Sequence, residues 1–299
     1  MKVNIIAGFL GSGKTTLIQR SLENLGKSEK VAVLVNEFGK VGVDGTLIKR
    51  DHIDVIEMPQ GCICCSLRSG LLNGIMEISR DIGPERLIIE PSGIASPSEV
   101  LSVLRDPSLL TIVEVESLTA VVDSSNFLKC LSDLGDYYQY TLEAAQIVIL
   151  NKVDLINAEE LKGIKGLLER LNPKAKILTA IYADVPFHEI FSSQALPLNS
   201  SFKPIHHLNF QSFSKVDKEN YYQTEAIANF FRDLGSGQFG NIIRAKGIFK
   251  TKEGGIQVEK VFNQLVINSI DAKDSRWSII GTEIYEQLIE EKLTMCKIV

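Results

Sequence analysis

Gly8-Phe9-Leu10-Gly11-Ser12-Gly13-Lys14-Thr15 fits the pattern G-x-x-x-x-G-K-[ST] without exception. The glycines let backbone N–H groups turn inward around phosphate oxygens, and the helix expected from Thr15 aims its positive end at them. Lys14 is expected to reach the β- and γ-phosphates and the Thr15 hydroxyl to hold Mg2+. The candidate phosphate-binding residues are therefore Gly11, Ser12, Gly13, Lys14, Thr15 and Thr16. The plainer alternative is a Gly-rich turn with an exposed lysine. Position argues against it. Val3–Ala7 reads as a short buried strand, and Thr15–Leu25 has helical spacing with Gly26 as a C-terminal stop.

Outward from that turn, strand-like and helix-like segments alternate to about residue 185. Val31–Val35, Ile53–Glu57, Leu87–Glu90, Leu118–Asp123, Ile147–Leu150 and Ile177–Ala180 read as strands, and Leu67–Ser79 and Ala158–Leu171 as helices. Strands that are apolar throughout are buried on both faces, as in parallel sheets covered by helices. The expected fold is α/β, a doubly wound and mostly parallel sheet over residues 1–190, with the ligand at the carboxyl ends of the strands. Leu87–Glu90 is expected beside the strand that enters the phosphate loop. Residues 191–204 carry Pro197, Pro204 and Asn199-Ser200-Ser201, the composition of a linker. Residues 205–299 then read as a smaller α+β domain. Its expected strands are His206–Phe213, Ile242–Phe249, Ile256–Val266 and Trp277–Ile280, and its expected helices Tyr222–Leu234 and Glu283–Leu293.

Bulk properties exclude several classes. With 44% hydrophobic and 23% charged residues in 299, the chain has the mix of a soluble globular protein. Its net charge of −5 and the absence of a Lys/Arg block argue against nucleic acid as a partner. No apolar run reaches the roughly 18 residues a membrane span needs. Val3–Leu10 reads as a strand rather than a signal peptide, because no small-residue cleavage site follows. A cytoplasmic protein is expected. Five cysteines, three of them in one tetrapeptide, are not a disulfide framework.

Asn151-Lys152-Val153-Asp154 follows the strand Ile147–Leu150. The pattern N-K-x-D suits guanine, since a carboxylate at Asp154 accepts from the ring N–H and the exocyclic amine, and adenine offers neither in that arrangement. Asn151 is expected to tie this loop to the phosphate loop, and the Lys152 stem to cover the base. At Thr179-Ala180 a backbone N–H is expected to meet the guanine carbonyl.

Gly61-Cys62-Ile63-Cys64-Cys65 is the least ordinary stretch. Thiolates at Cys62, Cys64 and Cys65 suit Zn2+ or another thiophilic ion such as Cu+. A closed structural zinc site normally takes four protein ligands. Three in one short loop leave a position open, which is the logic of a carrier. Buried free cysteines are the bland alternative, but adjacent cysteines fill a core poorly. The motif lies between the phosphate loop and Glu90, where bound γ-phosphate and Mg2+ order switch segments. Metal and nucleotide affinities would then be linked.

Glu37, in Asn36-Glu37-Phe38-Gly39, and Glu90, in Glu90-Pro91-Ser92-Gly93, each end a strand. Either can hold Mg2+ through water or position the attacking water, and Gly93 can donate its N–H to the γ-phosphate. Asp44 is a weaker candidate. His52, His188, His206 and His207 are scattered and read as structural or solvated.

Taken in order, Gly8–Thr15, Asn36–Gly39, Gly61–Cys65, Glu90–Gly93 and Asn151–Asp154 resemble the CobW-like metallochaperone GTPases, relatives of the urease and hydrogenase nickel-insertion GTPases. Ile243–Gly247 and Trp277–Gly281 look like that family's C-terminal module. The resemblance implies GTP hydrolysis to GDP coupled to delivery of Zn2+, or a related ion such as Co2+, to a client metalloprotein or cofactor-assembly enzyme. Members also serve cobalamin synthesis and nitrile hydratase activation. Lys40 stands where the family often has an acid, and Pro91 where it usually has Ser or Thr. No His-rich tract is present, which argues against bulk metal storage. Two other classes stay open on the residues alone: a metal-binding or cobalamin-pathway module that uses nucleotide as a structural ligand with little turnover, and an ATP-using kinase or ATPase. Without an evident arginine finger or water-orienting glutamine, turnover is expected to be slow until a partner or homodimer completes the site.

Overall fold

Five apolar residues in a row, Val31–Val35, leave no face for solvent, and the chain buries the whole run between parallel neighbours. The computed structural model describes residues 1–35, 53–57, 66–91, 93, 96–191, 210–262 and 264–298. These fall into two compact units, one up to residue 191 and one from 210. Of the expected linker, residues 192–204 lie outside the described residues, as do Glu37, Lys40, Asp44, His52, Cys62, Cys64, Cys65, Ser92, His206 and His207.

The first unit holds strands β1 (Lys2–Ala7), β2 (Val31–Val35), β3 (Ile53–Glu57), β4 (Arg86–Glu90), β5 (Glu114–Asp123), β6 (Ile147–Asn151) and β7 (Lys176–Thr179). Their order is β3-β2-β4-β1-β5-β6-β7, and each pair is parallel. Helices α1 (Lys14–Leu25), α2 (Ser66–Glu77), α3 (Pro97–Leu104), α4 (Phe127–Ala144), α5 (Ala158–Leu171) and α6 (His188–Phe191) cover it. The fold class read from the sequence is the one observed. On one face Leu17, Ile18, Leu22 and Leu25 of α1 pack with Ile6, Val33, Ile88, Val121 and Ile149. Their strand neighbours Ile5, Leu34, Ile89, Val122 and Leu150 are equally buried and point the other way. No helix among the described residues is long and apolar enough to cross a membrane.

Several local expectations are corrected. Gly26 ends α1 as expected, with a right-handed φ of −64°. A Cβ there would sit 2.8 Å from Ile53 Cδ1, the end of a side chain that would have to shift. Helix α2 does not run to Ser79; it passes into a π turn, Ile78–Ile82, closed by Gly83 in the left-handed region. Helices α3 and α4 were not expected. The first is short but carries its start signal, a capping box from Ser96 to Glu99 with Pro97 in the first turn. In the second, Gly135 is non-helical and breaks the apolar spacing. Strand β5 begins at Glu114, four residues before its apolar run.

The second unit holds β8 (Gln211–Asp217), α7 (Thr224–Asp233), β9 (Gly240–Thr251), β10 (Gly254–Val261), β11 (Gln264–Ile270), β12 (Ser275–Ile284) and α8 (Glu286–Met295). The sheet is antiparallel in the order β11-β10-β9-β12-β8. Ile227, Phe230 and Phe231 of α7 and Ile289 and Leu293 of α8 pack on Phe213, Phe249 and Trp277. The Phe249 and Trp277 rings stack with centroids 5.7 Å apart. Ile256–Val266, expected as one strand, is a hairpin. Val261 faces Gln264, and Phe262 turns the chain at φ 48°. The apolar turn residue Phe262, with Leu265 and Val266 resuming the apolar run beyond it, hid it.

Candidate functional site

Strand β1 lies between β4 and β5, where the connections leave in opposite directions, and its carboxyl end is the crevice where such sheets take ligands. The turn after Ala7 needs its glycines. Gly8, Gly11 and Gly13 have φ of 142°, 74° and 107°. A Cβ on Gly8 would lie 2.2 Å from the Val121 carbonyl oxygen, and one on Gly13 2.4 Å from Asn151 Nδ2. Gly13 is the N-cap of α1 and brings no capping side chain, so the start of the helix faces the crevice uncapped. Ser12 is 1% exposed, and its Oγ has no hydrogen-bond partner among the described residues. A buried orphan hydroxyl beside a cradle that a Cβ would fill fits a bound phosphate oxygen.

Lys14 and Thr15 open α1 and meet Glu90 from the end of β4. The Thr15 hydroxyl donates to Glu90 Oε1 at 3.1 Å and lies 3.3 Å from Oε2. Lys14 Nζ is 4.0 Å from Glu90 Oε1 and donates to the Phe9 carbonyl at 3.4 Å. Lys14 and Glu90 are each 7% exposed. A hydroxyl and a carboxylate held side by side are the oxygen donors a Mg2+ ion takes, so these residues fit one. Gly93 is buried against the phosphate loop, where a Cβ would come within 2.9 Å of Leu10 N.

The second loop docks onto the first. Asn151 Nδ2 donates to the Ser12 carbonyl at 2.8 Å, and Asn151 Oδ1 accepts from Ala183 N at 2.7 Å. Lys152 is left-handed at φ 60°, and its Nζ donates to Asp123 Oδ2 at 2.6 Å. Asp154 sits exposed in the turn Val153–Leu155. Ala180 departs from its expected use: its N–H already donates to the Leu150 carbonyl at 2.8 Å, extending the β6–β7 ladder. Asp123 and Ala183 are the residues the sequence reading missed. Asp123 ends a recognisable strand, but nothing in spacing pairs it with a lysine 29 residues later.

Among the described residues no group of three or more His, Cys, Asp or Glu could hold a metal ion. The thiolate triad Cys62, Cys64 and Cys65 and the acid Glu37 lie outside them.

Gly13→Ala tests the cradle. The methyl would collide with Asn151 Nδ2 and adopt a strained φ costing about 1–3 kcal/mol. Nucleotide titration is expected to show a loss of about tenfold or more; unchanged affinity would mean the loop does not close on Asn151.

Residues 2–179 match the model of the family described as CobW/HypB/UreG, nucleotide-binding domain. Over 297 residues the chain is 28% identical to the zinc-regulated GTPase metalloprotein activator 1 of Dictyostelium discoideum, covering 83% of this chain and 62% of that protein. Over 187 residues it is 35% identical to the zinc chaperone YeiR of Escherichia coli strain K12, covering 62% of this chain and 57% of that one. The chain thus spans about three-fifths of the length of these curated relatives. The Zn(II)-bound YjiA GTPase from E. coli aligns over 99% of this chain and 98% of its own, with a TM-score of 0.51 and 21% identity, a likeness of fold.

Proposed function

The chain belongs to the CobW/HypB/UreG nucleotide-binding family, and from that premise we propose that it is a GTP-hydrolysing metallochaperone. It takes up a thiophilic ion, Zn2+ in the first instance and otherwise Co2+ or Cu+, at Cys62, Cys64 and Cys65 and delivers it to a client metalloprotein or cofactor-assembly enzyme. The observation that carries the nucleotide half is the Asn151 bridge, which makes the phosphate loop and the N-K-x-D loop one site. The names of the relatives, zinc chaperone and zinc-regulated GTPase activator, support the metal half.

In this reading Gly11–Thr16 wrap the phosphates, Lys14 neutralises charge growing on the transferred γ-phosphoryl group, and Asp154 reads the guanine edge. Thr15 and Glu90 would hold Mg2+, which when bound would neutralise negative charge on the nucleotide phosphates. Glu37 or Glu90 orients the attacking water, and Gly93 donates to the γ-phosphate. The nucleotide domain spans 1–190, the linker 191–204 and the client-facing α+β domain 205–299. The protein works in the cytoplasm, and a client or second copy completes a slow site.

Zn2+ titration in the presence of GTP and of GDP tests the coupling. Replacing Cys62, Cys64 and Cys65 by Ser is expected to weaken Zn2+ binding roughly 100-fold or more, since three thiolate ligands are lost. GDP affinity is expected to stay within about threefold. Equal Zn2+ affinity in the intact and Ser-substituted proteins would sink the carrier reading. Phosphate release at background with metal and client present would favour nucleotide as a structural ligand.

A further inference from the structure

We propose that Asp123 is a positioning residue for the guanine base, acting through Lys152; the proposal rests on the guanine-nucleotide reading above. Asp123 ends β5, a strand apart from the N-K-x-D loop, and is 7% exposed. Its two carboxylate oxygens have separate tasks. Oδ1 accepts from Ser125 N at 3.0 Å and from Ser125 Oγ at 2.6 Å, capping the short turn that leads into α4. Oδ2 accepts from Asn126 Nδ2 at 3.1 Å and from Lys152 Nζ at 2.6 Å. Four donors on one carboxylate hold it in one orientation, and the ammonium is held with it.

Lys152 is thus fixed at both ends. Its backbone sits in a left-handed turn, next to an Asn151 bonded to Ser12 and Ala183. Its tip is anchored on Asp123. The four-carbon stem between them is a rail of set direction at the carboxyl end of β6, where the base is read. A free lysine carries roughly 2 kcal/mol of rotamer entropy, and ordering it over a base would cost most of that. Asp123 removes this cost before nucleotide arrives. The same strand end touches the phosphate loop, since Gly8 lies against the Val121 carbonyl. One strand therefore sets the distance between the phosphate cradle and the base rail.

A purely structural role would show differently. Asparagine caps helices as well as aspartate does, so Asp123→Asn keeps the Oδ1 function while removing the anionic anchor. Removing a negative charge near a polyanion favours phosphate binding on charge alone. A selective loss for GDP therefore cannot come from charge or from unfolding.

The test measures GDP and inorganic tripolyphosphate binding by calorimetry for the intact protein, Asp123→Asn, Lys152→Ala and the double variant, with melting curves for each. Asp123→Asn is expected to weaken GDP about 10- to 30-fold, the rotamer entropy above expressed as affinity. Tripolyphosphate binding is expected to be unchanged or tighter. The double variant should lose no more than Lys152→Ala alone, because the two residues act as one unit. GDP affinity within twofold of the intact protein, an equal loss for tripolyphosphate, or additive losses in the double variant would each overturn the proposal. If the intact protein binds ADP as well as GDP, the guanine reading fails first. If it prefers GDP and Asp123→Asn leaves that preference and affinity alone, only the role of Asp123 fails.

Discussion

Replacing Lys14 by Ala is expected to lower the proposed GTP turnover roughly 100- to 1,000-fold, the loss seen when one preorganised donor to a developing negative charge is removed. The effect is electrostatic. Lys14 is nearly buried, and its ammonium stands 4.0 Å from the Glu90 carboxylate. At 7% exposure for both groups, water screens them little, so charge at this point weighs more than at the surface. Truncation removes the cation beside Glu90 and leaves that carboxylate facing a triphosphate. GTP binding is therefore expected to weaken together with turnover. Lys14→Arg keeps the charge but not the compact tip, and should recover binding better than turnover. Single-turnover phosphate release with calorimetric GTP binding separates the two. Turnover within tenfold of the intact protein would remove Lys14 from the catalytic set.

Arg86→Met is expected to destabilise the first unit by about 3–5 kcal/mol, the cost of breaking a buried ion pair from one side. Arg86 opens β4 and is 4% exposed. Its Nε donates to Glu29 Oε1 at 2.5 Å, and Nη1 donates to Asn4 Oδ1 and to Glu116 Oε2. Asn4 in turn donates to Ser117 Oγ at 2.7 Å, and the guanidinium lies 5.5 Å from the Phe191 ring centre. Burial works against the guanidinium charge, yet the bonds to Glu29 and Glu116 outweigh it and push the Arg86 pKa above its ordinary value. Methionine fills the space but leaves Glu116, 9% exposed, as a buried carboxylate without this partner. Adding Glu116→Gln to Arg86→Met should therefore recover part of the loss. Urea denaturation of the intact protein, Arg86→Met, Glu116→Gln and the double variant measures it. A loss below about 1 kcal/mol, the range of an exposed pair, would mean the cluster is solvated.

These two sites differ in how much the sequence reveals. Gly8–Thr15 is contiguous, and each residue's role follows from its place in the turn. Asn151 was legible as the tie to the phosphate loop because strand ends converge in parallel sheets. The Arg86 cluster was not legible. Asn4, Arg86 and Glu116 lie on three different strands, and as polar residues they only blur the apolar runs that mark those strands. That is also why β5 was expected to begin at Leu118 rather than Glu114. Asp123 joined Lys152 only after folding had set β5 beside β6. The hairpin at Phe262 escaped because the turn residue is itself apolar and Leu265 and Val266 resume the apolar run just beyond it. The spatial demand on Gly26 depends on Ile53, a neighbour no local pattern contains.

The Asn151 bridge carries a consequence for the order in which the protein comes into being. Ser12 and Asn151 are 139 residues apart, and Ala183 lies 32 residues further still. During synthesis the Gly8–Thr15 turn emerges early and waits without its strut, since domains fold as units rather than residue by residue. Only when β6 and the turn after β7 have left the ribosome can Asn151 grip the Ser12 carbonyl from one side and the Ala183 amide from the other. On the proposed reading, nascent chains that stop short of residue 183 should hold guanine nucleotide poorly, and capture of the first nucleotide would mark the completion of the sheet.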